Sequence, residues 1–374
     1  MERRRGGELA RFAPLVVIGL AVGVAVVPRP AGLVERAYAG ALYPVVQAML
    51  TTASNAVPIA VFDVVTVSVV TGALWLWVGA VVRARRMRAA QPLLAAARMS
   101  AVVVAAGYLW FVMVWGLNYA RPPLDARLGL PEAPAAPGEV VALLTESVDR
   151  VNGLYTSTQA DRFVPYNAEW DIARVLHDVE VRLLGRPRPT VAGTPKPTLL
   201  GAYFRMAGVD GLTAPAALET LLNPDLTPAE RPFVLAHEWA HLSGYAPEAD
   251  ANFVGWLVAT DATADAVSRY SGWLFLVMET AAQVPLAARR DALARLGAGP
   301  RADLDAIAAR ARQRVDLVQR VGWRVYDSYL RSQGVREGIV SYSRVVDLIA
   351  RARRAPRAPN GAVAPPAPVP PMPQ

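Results

Sequence analysis

Three uncharged apolar runs constrain this chain more than any other feature. Residues 12–28, 64–82 and 99–117 are 17, 19 and 19 residues long, and none holds a charge. A helix needs about 20 apolar residues to cross the hydrocarbon core of a bilayer. Arginines border each run: Arg11 and Arg29 around the first, the Arg83, Arg85, Arg86 and Arg88 cluster after the second, and Arg98 before the third. Buried helices of a soluble core have no need of such flanks. Three transmembrane helices are therefore expected within an anchor of residues 1–120, and the lipid bilayer is the first expected partner.

The chain carries 39 basic and 31 acidic residues, a net charge of +8. Residues 1–98 hold 11 basic against 4 acidic side chains, and the remainder holds 28 against 27. The excess thus flanks the apolar runs, where topology signals belong, and gives no case for a nucleic-acid partner. Arg3, Arg4, Arg5 and Arg11 precede the first run, and the cluster from Arg83 to Arg98 separates the second from the third. The positive-inside rule puts both groups in the cytoplasm. The chain then leaves the third span outside a cytoplasmic (inner) membrane, and so does everything after Asn118. The first run also has the layout of a signal peptide, with Ala37-Tyr38-Ala39 as a cleavage pattern, and its removal would leave the other two spans oriented as before. Residues 37–62, broken by Pro44, Gln47, Asn55 and Pro58, read as an interfacial or partly buried helical segment.

Beyond the anchor, the Pro-rich stretch 121–139 reads as a linker. A catalytic domain is expected over 140–353 and a disordered Pro/Ala-rich tail over 354–374. Helical apolar spacing marks 140–152 and 168–184. Short strands are expected at 199–206 and around 212–214, and further helices at 248–266, 268–285, 302–332 and 340–353. Residues 268–286 are apolar enough to suggest a fourth span, but Glu279 lies inside them, and a buried helix of the domain is the reading adopted.

The chain has no cysteine and three histidines, His177, His237 and His241. Any transition-metal site must therefore use His, Asp or Glu. His237 and His241 lie in "VLAHEWAHLSGYAPEADANF". Four residues apart, they share one face of a helix and can reach one ion. Glu238 is rotated about 100° from His237. It can serve as general base, because zinc lowers the pKa of a bound water to about 7 and the carboxylate can take that water's proton. Thr227-Pro228-Ala229-Glu230 has the form of a capping box. The main helix is expected from about Pro232 to Ser243, with Gly244 as its stop. Its other residues are nearly all apolar, so a His, Glu, His trio there costs several kcal/mol unless paired. Pro247 suits the start of a second helix that sets Glu248 in its first turn and turns it back toward the histidines. Glu248 is the preferred third ligand, with Asn252 one turn on as its hydrogen-bonding support. Asp250 and His177 are the rivals.

The segment "HEWAHLSGYAPEADANF" resembles the signature of an uncharacterised bacterial membrane family, catalogued as domain of unknown function 3810. "WGLNYARPPL" at 115–124 resembles its exit from the last span, and "LLGAYFRMAGVDGLTAPAALETLLNPDL" its segment upstream of the histidines. "VYDSYLRSQGVREGIVSYSRVVDLI" at 325–349 resembles its C-terminal block. Glu248-x-x-Ala251-Asn252 is also similar to the Glu-x-x-Ala-Asp motif of integral-membrane zinc peptidases of the gluzincin type, in which the Glu is the third ligand and Asn252 replaces an Asp. The resemblance implies a mainly α fold: transmembrane helices, then a zincin-like α+β domain with a small sheet. It also implies a Zn2+ cofactor on His237, His241 and Glu248, with Glu238 catalytic. The expected function is a membrane-anchored zinc metallopeptidase acting on a protein or peptide. A zinc-bearing scaffold or sensor, or a zinc amidase acting on a cell-envelope amide, are the other readings. Tyr326, Tyr342 and Arg336 are candidates for stabilising the oxyanion.

Overall fold

The computed structural model describes residues 2–158, 168–184, 190–332 and 344–355. Two helices, Val61–Met87 and Gln91–Val114, are long and apolar enough to cross a membrane. The first apolar run is arranged differently. Its helix, Glu2–Val26, is followed by a break, and Phe12–Val26 meets the segment Ala31–Asn55 at 109°. Pro28 and Pro30 lie in that break, where their missing N–H groups and fixed φ interrupt helical bonding. The chain thus holds two such helices, or three if the bent pair counts as one span.

The remainder is also mainly helical, with one small antiparallel sheet. Strand β1 (Gly211–Ala214) pairs with β2 (Glu219–Leu222), Gly211 opposite Leu222 and Ala214 opposite Glu219. The helices predicted at 140–152 and 168–184 form as Pro137–Thr158 and Ala168–Leu184. That predicted at 268–285 forms as Ala266–Gln283, which Asp265 caps by accepting from the Val267 and Ser268 N–H groups at 2.8 and 2.9 Å. Tyr270, Leu274, Leu276 and Val277 on it are buried in the domain core.

Four expectations need correction. Residues 199–206 are not a strand: Gly201–Ala207 is a helix that buries Phe204 and Ala207 three residues apart and stops at Gly208, whose φ of 70° suits only glycine well. The helix predicted over 302–332 is two, Ala298–Ala311 and Asp316–Ser332; between them the Val315 N–H bonds to the Met206 carbonyl. The helix predicted over 248–266 ends at Ala259. Finally, 121–139 is not a free linker, because Leu124, Leu128 and Leu130 are buried among its prolines. Arg351 of the last described helix, Arg344–Arg354, donates to the Pro131 carbonyl and to Asp125. The tail expected at 354–374 lies outside the described residues from 356 onward.

The N-terminal apolar helices and the rest of the chain are joined by polar bonds. Glu219 of β2 is fully buried and accepts from the Val61 and Phe62 N–H groups, the otherwise unpaired donors that open helix Val61–Met87. Lys196 completes the cluster, 3.0 Å from Glu219 Oε2 and 2.6 Å from Ser54 Oγ. Asp63, one residue on from Phe62, accepts from Thr198 Oγ1 and the Leu199 N–H. Gln47 behaves like a strand residue toward Val191, donating to its carbonyl and accepting from its N–H. Removing one member of such a buried pair strands the other charge and costs about 3–5 kcal/mol. We expect Glu219→Ala to lower the stability of the detergent-solubilised full chain by about that amount in denaturant unfolding. Lys196→Met/Glu219→Leu should recover much of the loss. A change below about 1 kcal/mol for Glu219→Ala would contradict this role.

Candidate metal centre

The histidine helix runs from Arg231 to Leu242 with Pro232 in its first turn, where no N–H is missed. Just before it, the Thr227 N–H donates to Glu230 Oε2 at 3.0 Å, the acidic half of the expected capping box. The helix ends as the glycine predicts. Gly244 has φ 86°, its N–H reaches the His241 carbonyl at 2.8 Å, and the Tyr245 N–H reaches the Ala240 carbonyl at 3.1 Å. This Schellman pattern satisfies two of the final carbonyls.

Side chains from outside the helix also reach carbonyls of that turn. Tyr43 O–H donates to the Leu242 carbonyl at 2.9 Å, Trp115 Nε1–H to His241 O at 3.4 Å, and Arg121 Nη1 to Gly244 O at 2.8 Å. A Cβ on residue 244 would sit 2.9 Å from Asn118 Oδ1. Much of "WGLNYARPPL" is thus a clamp on the turn between the two halves of the motif.

From Gly244 the chain reverses and Pro247 opens the second helix, Glu248–Ala259. The two helices touch backbone to backbone. A Cβ on Gly255 would fall 2.9 Å from His237 Cα and 3.0 Å from His237 N, closer than any side chain allows. That approach delivers Glu248 to the histidines. Its Oε2 lies 3.4 Å from His237 Nε2 and 3.6 Å from His241 Nε2. These separations exceed the roughly 2.7–2.9 Å of a charge-assisted hydrogen bond. They match the roughly 3.3 Å between donors that share a tetrahedral ion at about 2.0–2.1 Å. His237, His241 and Glu248 offer three donor atoms within 4.8 Å of one another, a group that could hold a metal ion.

The surroundings prepare those donors. His241 Nδ1–H donates to the Tyr245 carbonyl at 2.8 Å, which fixes the tautomer and leaves Nε2 with its lone pair toward Glu248. Burial opposes a charge on His241, but Glu248, then Glu238 and the Tyr245 carbonyl, outweigh it and raise its pKa to about 9. Burial likewise opposes ionised Glu248, yet His241 and His237 hold its carboxyl well below the usual range. Both shifts have the same cause: the carboxylates stabilise positive charge at the imidazoles, and the imidazoles stabilise the ionised Glu248.

Glu238 is buried on the side facing β1. Thr213 Oγ1 donates to its Oε2 at 3.0 Å and to its backbone carbonyl at 2.8 Å. A Cβ on Gly211 would come within 2.5 Å of Glu238 Oε1, so glycine alone leaves that carboxylate its place. Burial raises the Glu238 pKa, with His237 and His241 pulling the other way.

The rivals for third ligand lie elsewhere. Asp250 faces Arg127, 3.8 Å away, and burial lifts its pKa to about 6 against the pull of that arginine. His177 sits on helix Ala168–Leu184 and is not in the metal-ligating group. Asn252 is buried one turn beyond Glu248. Arg336 and Tyr342 lie outside the described residues, as does the side chain of Tyr326.

Glycines 211 and 255, Thr213, Tyr43, Trp115 and Arg121 were not singled out from the sequence. Only the clamp had a signal: an aromatic and basic cluster just after a span, near a helix whose final carbonyls need donors. On this geometry Glu248→Ala should empty the site of metal, measured by elemental mass spectrometry after dialysis, whereas Asp250→Asn should retain it. Gly255→Leu, which removes no donor, should weaken retention about as much as loss of a supporting group, roughly 10–100-fold.

No curated protein and no solved structure matches the chain. A family model described as "Protein of unknown function (DUF3810)" matches residues 38–350. That span runs from the helix after the bend to the last described helix and includes the whole candidate centre, and the chain belongs to this family.

Proposed function

We propose that the protein is a membrane-anchored zinc metallopeptidase whose site faces the extracytoplasmic side. The observation that carries the reading is the pairing of a three-donor group with a separately held carboxylate. A structural metal site has no use for Glu238, buried beside the donors and oriented by Thr213.

The donor set suits zinc: two neutral imidazoles and one carboxylate leave a position open for water, and no thiolate competes. Zinc held by His237, His241 and Glu248 would supply Lewis-acid chemistry, polarising a carbonyl oxygen and making water acidic enough to yield its proton at about pH 7. His241 is kept oriented by the Tyr245 carbonyl. Glu238 accepts the proton of the attacking water and returns it to the leaving amine. Its burial keeps it basic enough for that exchange. β1 pairs with β2 along one edge and, among the described residues, with no strand along the other. An extended peptide added to that edge runs beside Glu238, which favours a peptide substrate.

The two helices that could cross support this orientation. Glu219 caps the Val61 end of one, and Trp115 follows the Val114 end of the other and bonds to the histidine helix. The arginines from 83 to 98 sit at the opposite ends. With that cluster cytoplasmic, the site is outside.

Glu238→Gln should keep its metal and lose hydrolysis by about 10²–10⁴-fold. The readout is the set of new N-termini in the envelope proteome of cells carrying either form. Identical fragments from both, at equal metal content, would reject the peptidase and favour a scaffold or sensor.

A further inference from the structure

The segment after the bend has its polarity reversed for a surface helix. Gln47, Thr51 and Ser54 are buried against the domain, while Leu42, Val45 and Met49 point outward, with Val45 56% and Met49 67% exposed. In water the charged or polar stripe faces out. Here residues 37–62 contain no charged residue at all. The outer face, continued by Val57 and Ile59, therefore needs an apolar solvent.

Its position says which one. Phe12–Val26 enters the segment through the 109° bend, and Val61–Met87, a helix apolar enough to span, begins six residues after it ends. Both ends are thus tied to membrane helices, and a segment nearly perpendicular to the first of them runs along the membrane plane.

We infer that Ala31–Asn55 lies in the outer surface of the bilayer, its Leu42, Val45 and Met49 face sunk among lipid chains and its Tyr43, Gln47 and Thr51 face carrying the domain. Interfacial helices bury such a face by about 5–10 Å into the headgroup–acyl boundary. Because Tyr43 bonds to the Leu242 carbonyl, this sets the last turn of the histidine helix one side-chain length above the lipid-lying helix, on the side from which segments emerge from the membrane. The lipid assignment rests on the membrane reading of the flanking helices and is independent of the chemistry at the site.

The absence of cysteine permits a clean test. Single variants Val45→Cys and Met49→Cys of the full chain are labelled with a nitroxide and reconstituted into phosphatidylcholine/phosphatidylglycerol vesicles. Val104→Cys, on an exposed face of helix Gln91–Val114, is the lipid reference, and Asp305→Cys, exposed on Ala298–Ala311, the water reference. Collision rates with oxygen and with a water-soluble nickel chelate are compared by electron paramagnetic resonance. Labels at 45 and 49 should behave like that at 104, with oxygen favoured over nickel. Behaviour like position 305 would overturn the inference. So would shielding from both reagents, which would mean that a second copy of the chain covers the face.

Discussion

The candidate centre depends on one close approach, the backbone of Gly255 against the backbone of His237. Packed helices ordinarily stand 8–10 Å apart, with side chains setting the distance. With no side chain at 255, the second helix comes close enough for Glu248 in its first turn to reach both imidazoles. A second glycine acts in the same way across the helix, since Gly211 gives Glu238 the space that its carboxylate occupies. The two histidines and the base thus lie on one helix held between two surfaces, each lacking a side chain at the contact.

The turn between the helices has a similar logic. A helix leaves its last four carbonyls without partners, and burying them unpaired is costly. Here Tyr43, Trp115 and Arg121 supply donors from segments next to the two long apolar helices. Glu219 works in the opposite direction, capping the apolar helix Val61–Met87 from the sheet that also carries β1 against Glu238. The N-terminal apolar helices are accordingly part of the fold that shapes the site, which agrees with a family match that begins at residue 38 and includes both Val61–Met87 and Gln91–Val114.

The elements read best from sequence were those with a strong local cause. Apolar length marks Val61–Met87 and Gln91–Val114, and the 3.6-residue period marks Ala168–Leu184. A proline at the start and a glycine past the end bracket the histidine helix, and Pro247 sets the glutamate helix. Tertiary partners decide the rest. "LLGAYFRMAG" has residues suited to either strand or helix, and packing of Phe204 and Ala207 with the stop at Gly208 selects the helix. The prolines of 121–139 suggested a linker, but three leucines among them reach the core. The metal group follows from spacing within one short stretch, so Glu248 could be named. Gly255, which lets Glu248 approach, lies 7 residues beyond it, and Gly211, which makes room for Glu238, lies 27 residues before that glutamate; nothing local distinguishes them from other glycines.

The most direct test of the account is zinc K-edge X-ray absorption on the full-length chain purified in detergent. Two imidazole nitrogens and carboxylate oxygen at about 2.0–2.1 Å, in a four- or five-coordinate shell without sulfur, are the predicted result. Failure to bind zinc in stoichiometric amount, or a bound ion whose shell lacks imidazole, would contradict a centre formed by His237, His241 and Glu248.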